Sequence, residues 1–198
     1  MKLLYSRPSP YSSKVRMSAH LCGFELDCVP TDTAAEGADL VDVNPVGKIP
    51  ALILDDGSAL YDSRVICEYL DRASGNLLIP QTLEAWTRTK RVEALADGMT
   101  EAVMATLYEV RYRPEEKRHQ PWVDKQWRRA HRALDALEHE VAALPAALNL
   151  AHFAVASDLG WVQLRFPGSF ETRNPGLAAW LERFASEHPD YAEMIPQA

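Results

Sequence analysis

Three short stretches combine residue types that can hold an anion or a thiolate. The first is Pro8-Ser9-Pro10-Tyr11-Ser12-Ser13. A hydroxyl-rich turn leading from a strand into a helix sets side-chain O–H groups beside unpaired backbone N–H groups, where a thiolate or oxyanion can be held. A plain helix N-cap is the simpler use of the same residues. The second is Asn44-Pro45-Val46-Gly47-Lys48-Ile49-Pro50, which runs into a strand. Proline is tolerated at a strand's first position, and Ile49–Pro50 is a candidate for a cis bond; a loop before an edge strand is the plainer reading. The third is Asp62-Ser63 at a helix start. The free N–H groups and partial positive charge there suit a carboxylate, although Ser63 could simply be the N-cap.

Other chemistries leave no signature. The nine glycines are dispersed, with no dinucleotide fingerprint or phosphate loop. There is no GxSxG nucleophile elbow. The six histidines form neither an HxxxH pair nor HExxH, and the three cysteines (Cys22, Cys28, Cys67) have no zinc spacing, so no metal is expected. An odd number of cysteines cannot form a full disulfide framework, which predicts free, mostly buried thiols and a reducing, cytoplasmic location.

The elements that must position these stretches change character along the chain. Lys2–Tyr5 is a short apolar run stopped by Pro8 and Pro10. Val15, Ala19 and Cys22 then fall at helical spacing up to Gly23. Phe24–Val29 alternates like a strand, with Pro30 as its stop. The stretch 31–44 is acidic and irregular. Ala51–Leu54 and Ser58–Tyr61 flank Asp55-Asp56-Gly57, a hairpin signal, and Val65, Ile66, Tyr69, Leu70 and Ala73 follow on a helix closed by Gly75. Beyond Thr82 the pattern is helical throughout. Two long helices are broken near Pro114 and Pro121, a strongly apolar one runs through Phe153–Leu164, and another carries Leu177, Trp180, Leu181 and Phe184. The expected organisation is a small α/β domain over 1–75, a linker at 76–81 and an all-helical domain over 82–198.

The chain has 198 residues, 47% of them hydrophobic and 25% charged, which fits a globular protein and excludes a disordered or fibrous one. No apolar run approaches the roughly 20 residues that span a bilayer, and the first residues lack a secretory h-region. With 21 basic against 28 acidic residues the net charge is −7, which argues against general nucleic-acid binding.

Taken together, the motifs resemble the cytosolic glutathione transferase superfamily, in its bacterial form. The resemblance rests on Ser9-Pro10-Tyr11-Ser12-Ser13-Lys14-Val15-Arg16, on Asn44–Leu52 and on Tyr61–Leu70, with Ala94–Met99 and Leu148–Ala156 in the helical half. It implies a thioredoxin-like N-terminal domain that holds glutathione as co-substrate, followed by an all-α domain that lines the electrophile site. Pro50 would be cis. Ile49 would offer its backbone to the cysteinyl part of glutathione as an added strand does. Ser63, helped by Asp62, would hold the γ-glutamyl carboxylate. Asp97 would reach the γ-glutamyl amino group across a homodimer interface, and Lys48 would assist an anionic group. Ser9 matches the catalytic position and would donate to the thiolate, with Ser12 and Ser13 as rivals and Tyr5 and Tyr11 behind them. Because Ser stands where other members have Cys, dithiol redox chemistry is disfavoured. Met104, Tyr108 and Tyr112, at i, i+4 and i+8, would face a hydrophobic electrophile, unless they are ordinary core. Asn149 and His152 stand where the family often has Ser or Thr followed by Asp. The resemblance implies a transferase that attacks an electrophilic small molecule and has a detoxification role. A non-catalytic glutathione-binding or protein-interaction module on the same fold is the alternative, as is a glutathione-dependent isomerase, reductase or lyase.

Overall fold

The computed structural model describes residues 1–34 and 38–198. The chain opens with β1 (Lys2–Tyr5), α1 (Pro10–Leu21), β2 (Asp27–Pro30), α2 (Ala38–Val43), β3 (Ala51–Ile53), β4 (Ala59–Leu60) and α3 (Ser63–Ala73). The strands form one sheet in the order β2-β1-β3-β4, with β1 parallel to β2 and antiparallel to β3, and β3 antiparallel to β4. Leu3 and Leu52, cross-strand partners, are fully buried. The hairpin forms where Asp55-Asp56-Gly57 predicts it. Asp56 Oδ1 accepts from the N–H and hydroxyl of Ser58, and Gly57 takes φ +84°. The fold is thus a thioredoxin-like α/β half followed by a helical half. Among the described residues no strand follows β4.

Some boundaries differ from expectation. The strand predicted over Phe24–Val29 begins only at Asp27, because the Phe24 N–H is spent on Ala19 C=O, closing α1, and Asp27 N–H makes the first bond to β1. The first helix starts at Pro10, ahead of the Val15, Ala19 and Cys22 periodicity, with Ser9 as its N-cap; proline suits a first-turn position, where its missing N–H costs nothing. Part of the stretch read as irregular is the short α2; residues 35–37 lie outside the described residues.

The segment expected as a linker is pinned at its middle, between exposed Leu77 and Gln81. Leu78 and Ile79 lie in the core, and both of their N–H groups donate to Asp71 Oδ1 at 2.8 Å. Leu78 C=O in turn accepts from Leu150 N–H, the first residue of the central helix.

The helical half contains α4 (Leu83–Tyr112), a 3-10 turn at Glu115–Lys117, α5 (Gln120–Val141), α6 (Leu150–Arg165), α7 (Pro175–Glu187) and α8 (Pro189–Ala192). Pro114 and Pro121 fall at the break between α4 and α5, as the sequence predicts. Every residue of α6 from Leu150 to Val162 is buried, so this helix is the axle on which α1, α4 and α7 pack. Its N-terminus is closed by a capping box. Asn149 accepts from Ala151 N–H, and His152 Nδ1 accepts from Asn149 N–H at 3.3 Å while Nε2 faces Pro145 C=O at 3.1 Å.

Burial lowers the His152 pKa to about 4, against hydrogen bonds that pull it up. The folded state therefore holds a neutral imidazole that the unfolded chain protonates below about pH 6.5. Above that pH the group exerts no penalty; as pH falls from about 6.5 to about 4, stability is lost, by about 3 kcal/mol in all. Urea unfolding across this range should show the loss in the parent and a much smaller one in His152→Gln, which keeps the cap without the titration.

Candidate functional site

Ser9 sits at the junction of β1 and α1. Its Oγ accepts from Ser12 N–H at 3.2 Å, so its lone pair caps the helix and its hydroxyl proton remains free to donate outward. Ser12, the other hydroxyl predicted as catalytic, is not available: it is 0% exposed and its Oγ is sealed in the interior. The helical turn that lets Ser9 cap turns Ser12 inward. Ser13 is buried too, donating to Met194 C=O at 2.6 Å and accepting from Ser157 at 3.0 Å. Of Ser9, Ser12 and Ser13, only Ser9, half-buried, reaches the surface. The Tyr11 phenol is held protonated by burial and by Asp158, Asp97 and Glu101.

The Ile49–Pro50 bond is cis, as expected. Asn44 shapes the loop before it. Its Nδ2 donates to Lys48 C=O at 2.7 Å, its Oδ1 accepts from Val46 N–H at 3.0 Å, and its C=O accepts from Gly47 N–H. Gly47 takes φ +65°, a conformation that favours glycine. Pro50 is buried, and the β1–β3 ladder begins only at Ala51, so the Ile49 N–H and C=O lie outside that pairing. The Lys48 side chain is exposed on the rim.

At the start of α3 the N-cap is Asp62, not Ser63. Asp62 accepts from Arg64 N–H at 2.9 Å, and Ser63 is the first helical residue. The cap thereby uses one orphan donor and leaves the Ser63 N–H in the first turn.

Asp97 is engaged from within its own chain. It is 1% exposed, and its carboxylate is already shared between Lys14 Nζ (2.8 and 3.0 Å) and Arg64 Nε (2.8 Å). Within the chain it holds Arg64. These contacts belong to an alternating chain of charges. Glu68 meets Lys90 at 3.1 Å, Lys90 meets Glu93, Glu93 meets Lys14 at 3.1 Å, Lys14 meets Asp97, Asp97 meets Arg64, and Arg64 meets Glu101 at 3.4 Å. Burial alone would depress the Lys14 ammonium, but Asp97 and Glu93 outweigh it and keep the charge. Asp158, fully buried beside this chain, is pushed well above the carboxylate range by burial and then by Asp97, and stays neutral.

Along the second half of α4, Met104 is half-buried, Tyr108 is 44% exposed and Tyr112 is 68% exposed. The two tyrosine rings lie 5.5 Å apart, tilted by 56°. They are not core residues. Arg113 is engaged by Glu109 at 3.3 Å. An open cavity of about 840 Å³ lies elsewhere, between the start of α4 and the end of α5 around Arg88, Arg91 and His139, and none of the expected site residues lines it. Among the described residues no group of His, Cys, Asp and Glu is disposed to hold a metal.

This arrangement has close counterparts. The model of the glutathione S-transferase N-terminal domain matches residues 8–73, and that of the C-terminal domain matches residues 120–183. A glutathione S-transferase from Methylobacillus flagellatus KT, solved with glutathione bound, is 36% identical and aligns over 99% of both chains with a TM-score of 0.90. The chain belongs to the glutathione S-transferase family. A glutathione transferase family member from Pseudomonas fluorescens Pf-5 with bound glutathione is 37% identical over 100% of this chain and 99% of that one, with a TM-score of 0.90. The GST-like protein YibF of Escherichia coli K12 is 27% identical over 83% of each chain.

Within this glutathione S-transferase the structure gathers Arg64 into the α3 turn with Asp62 and Ser63, a residue the motif reading passed over. A cation in the first turn of a helix opposes the helix dipole, so Arg64 beside an N-cap was a readable signal of another task. Its side chain is 46% exposed; Asp97 fixes its Nε and Glu101 meets its Nη2 at 3.4 Å, with the outer edge of the fork at the surface.

Replacing Lys14 with Met strands Glu93 and Asp97 without their shared cation and should cost about 3–5 kcal/mol of stability in urea unfolding. Glu101→Ala, at the exposed end of the same chain, should change it by no more than about 0.5 kcal/mol.

Proposed function

We propose that this protein is a glutathione transferase that binds glutathione along the turn-and-loop surface of its first half and uses Ser9 to activate the thiol. The observation that carries the reading is the state of Ser9: its oxygen is committed to Ser12 N–H, and its proton is uncommitted at the accessible N-terminus of α1. A free thiol has a pKa near 8.5 and is only a few per cent ionised at neutral pH. An O–H donor plus a helix N-terminus favours the thiolate. Two units of lowering correspond to about 2.7 kcal/mol, within the range of one charge-assisted hydrogen bond with a helix dipole behind it. The thiolate then forms a C–S bond to an electrophilic carbon, whose leaving group departs with its electron pair, and the thiol proton goes to solvent.

In this reading the Ile49 N–H and C=O pair with the cysteinyl backbone of glutathione, and the turn Asp62-Ser63-Arg64 receives the γ-glutamyl carboxylate. Arg64 takes the electrostatic part of the role first assigned to Asp97. Lys48 stands at the rim for the other carboxylate. Residues 1–75 form the glutathione-binding domain, and residues 82–198 supply the electrophile side through Met104, Tyr108 and Tyr112, whose exposed aromatic surface suits a hydrophobic partner. The bound glutathione of the Methylobacillus and Pseudomonas relatives supports the co-substrate. The free Cys22, Cys28 and Cys67 fit a reducing cytoplasmic setting, and half-exposed Val65 on α3 is a suitable element of a homodimer contact.

Calorimetric titration with reduced glutathione, followed by thiolate absorbance of the complex against pH, tests the reading. A bound-thiol pKa well below the free value is expected, and binding with an unshifted pKa would overturn catalysis. Ser9→Ala should raise that pKa and lower turnover more than affinity. Ser63→Ala should weaken binding by about 1–3 kcal/mol.

A further inference from the structure

The turn that presents Ser9 is gripped by a segment nearly two hundred residues away. Ser6, Arg7, Pro8 and Ser9 form a turn closed by the Ser9 N–H to Ser6 C=O bond at 3.1 Å. At its middle, the Arg7 C=O accepts from Gln197 N–H at 3.4 Å, and the Arg7 guanidinium donates to Gln197 Oε1. One helical turn beyond Ser9, Ser13 donates to Met194 C=O at 2.6 Å. The segment 194–197 thus holds both sides of the first turn of α1.

That segment is itself anchored. Pro196 is buried, and the Ile195 side chain lies against Gly160 of α6 so closely that a Cβ at Gly160 would sit 2.3 Å from Ile195 Cγ2. Tyr191, just upstream, stacks on Phe153 of α6 with ring centroids 5.0 Å apart. The Gln197 amide is oriented from both ends: its Nε2 donates to Glu193 C=O at 3.2 Å, which turns Oε1 toward Arg7. Arginine offers only donors, so the pair is chemically matched.

We propose that residues 194–197 are a latch on the Ser9 turn, and that Arg7 and Gln197 are positioning residues for thiol activation. The inference rests on the role assigned to Ser9 above. A hydrogen bond to a thiolate weakens steeply when its angle opens, and a misplacement of about 1 Å can cost orders of magnitude in rate. Neither Arg7 nor Gln197 touches the sulfur; they fix the turn from which Ser9 donates. The latch runs through α6, so the helical half sets the geometry of a hydroxyl carried by the sheet half.

The test uses the full chain with Gln197→Ala and Arg7→Ala, and Gln197→Glu as the variant that keeps an acceptor for Arg7. Amide hydrogen exchange over residues 6–13, measured without ligand, should be several-fold faster in the two alanine variants and near the parent rate in Gln197→Glu. The bound-thiol pKa should rise by about half a unit, a threefold loss of thiolate at pH below it, with glutathione affinity within about twofold because Ile49 and Ser63 are untouched. Gly160→Ala, which displaces Ile195, should produce the same pattern more strongly. Unchanged exchange over 6–13 overturns the latch whatever the ligand result. Faster exchange with an unchanged, depressed thiol pKa overturns the positioning role. A parent whose bound thiol is not activated removes the Ser9 reading and the positioning role with it, while the exchange result still decides the latch.

Discussion

A single buried ammonium organises much of this molecule. Lys14 is 1% exposed, on a helix whose neighbours are Val15, Met17 and Ser13. A lysine there is tolerable only because Glu93 and Asp97 of α4 meet it, and they are tolerable only because Lys14 and, beyond it, Lys90 and Arg64 meet them. The alternation ties α1, α3 and α4 together through Lys14, Asp97 and Arg64. Asp158 shows the limit of the device. Placed beside an anionic Asp97, it keeps its proton rather than adding a further charge. Such a core is no better for stability than a well-packed apolar one; what it supplies is a held Arg64 at the α3 N-terminus, with Glu101 beyond it at the exposed end.

The central helix does the complementary work by apolar means. α6 is buried from its cap to Val162, so each of its deviations from a plain hydrophobic pattern has a local cause. Asn149 and His152 close its N-terminus, Ser157 supplies a hydrogen bond to Ser13, and Gly160 leaves room for Ile195. Charge chain and apolar axle both grip α1, from opposite ends of the same short stretch: Lys14 into one, Ser13 into the other.

Legibility in the sequence followed the range of the interaction. The hairpin at Asp55-Asp56-Gly57 and the proline-bounded helices were readable because turn chemistry is local, as was the placing of Ser9 and Ser63 at helix starts; the cis Ile49–Pro50 bond was implied by the family resemblance of its motif, since the residues alone favoured a plain loop. The exchange of N-cap from Ser63 to Asp62 is a one-residue matter that composition does not decide, since both residue types cap well. The failures were long-range. Nothing near Asp97 says that Lys14, over eighty residues earlier, will take its carboxylate, and nothing near Ser12 says that its hydroxyl will be sealed in the interior. Tyr108 and Tyr112 have the spacing of core residues, and only the absence of a packed neighbour distinguishes them. Arg64 was the exception, a charge misplaced for its helix and legible on that ground.

Ser9 joins these levels because one oxygen carries two duties. As N-cap it must accept from Ser12 N–H, which fixes the direction of its lone pair and, by the geometry of a hydroxyl, leaves its proton pointing away from the helix. In the proposed function, capping therefore orients catalysis. A cysteine at the same place is a weak acceptor and would trade the cap for a nucleophile; a tyrosine would carry its hydroxyl several ångströms from the helix end. With the role proposed for Ser9, the choice of serine binds the stability of α1 to the acidity of a bound thiol, so that whatever holds the first turn of α1, whether the charge chain through Lys14 or the backbone of Met194 through Ser13, also bears on the proposed chemistry at Ser9.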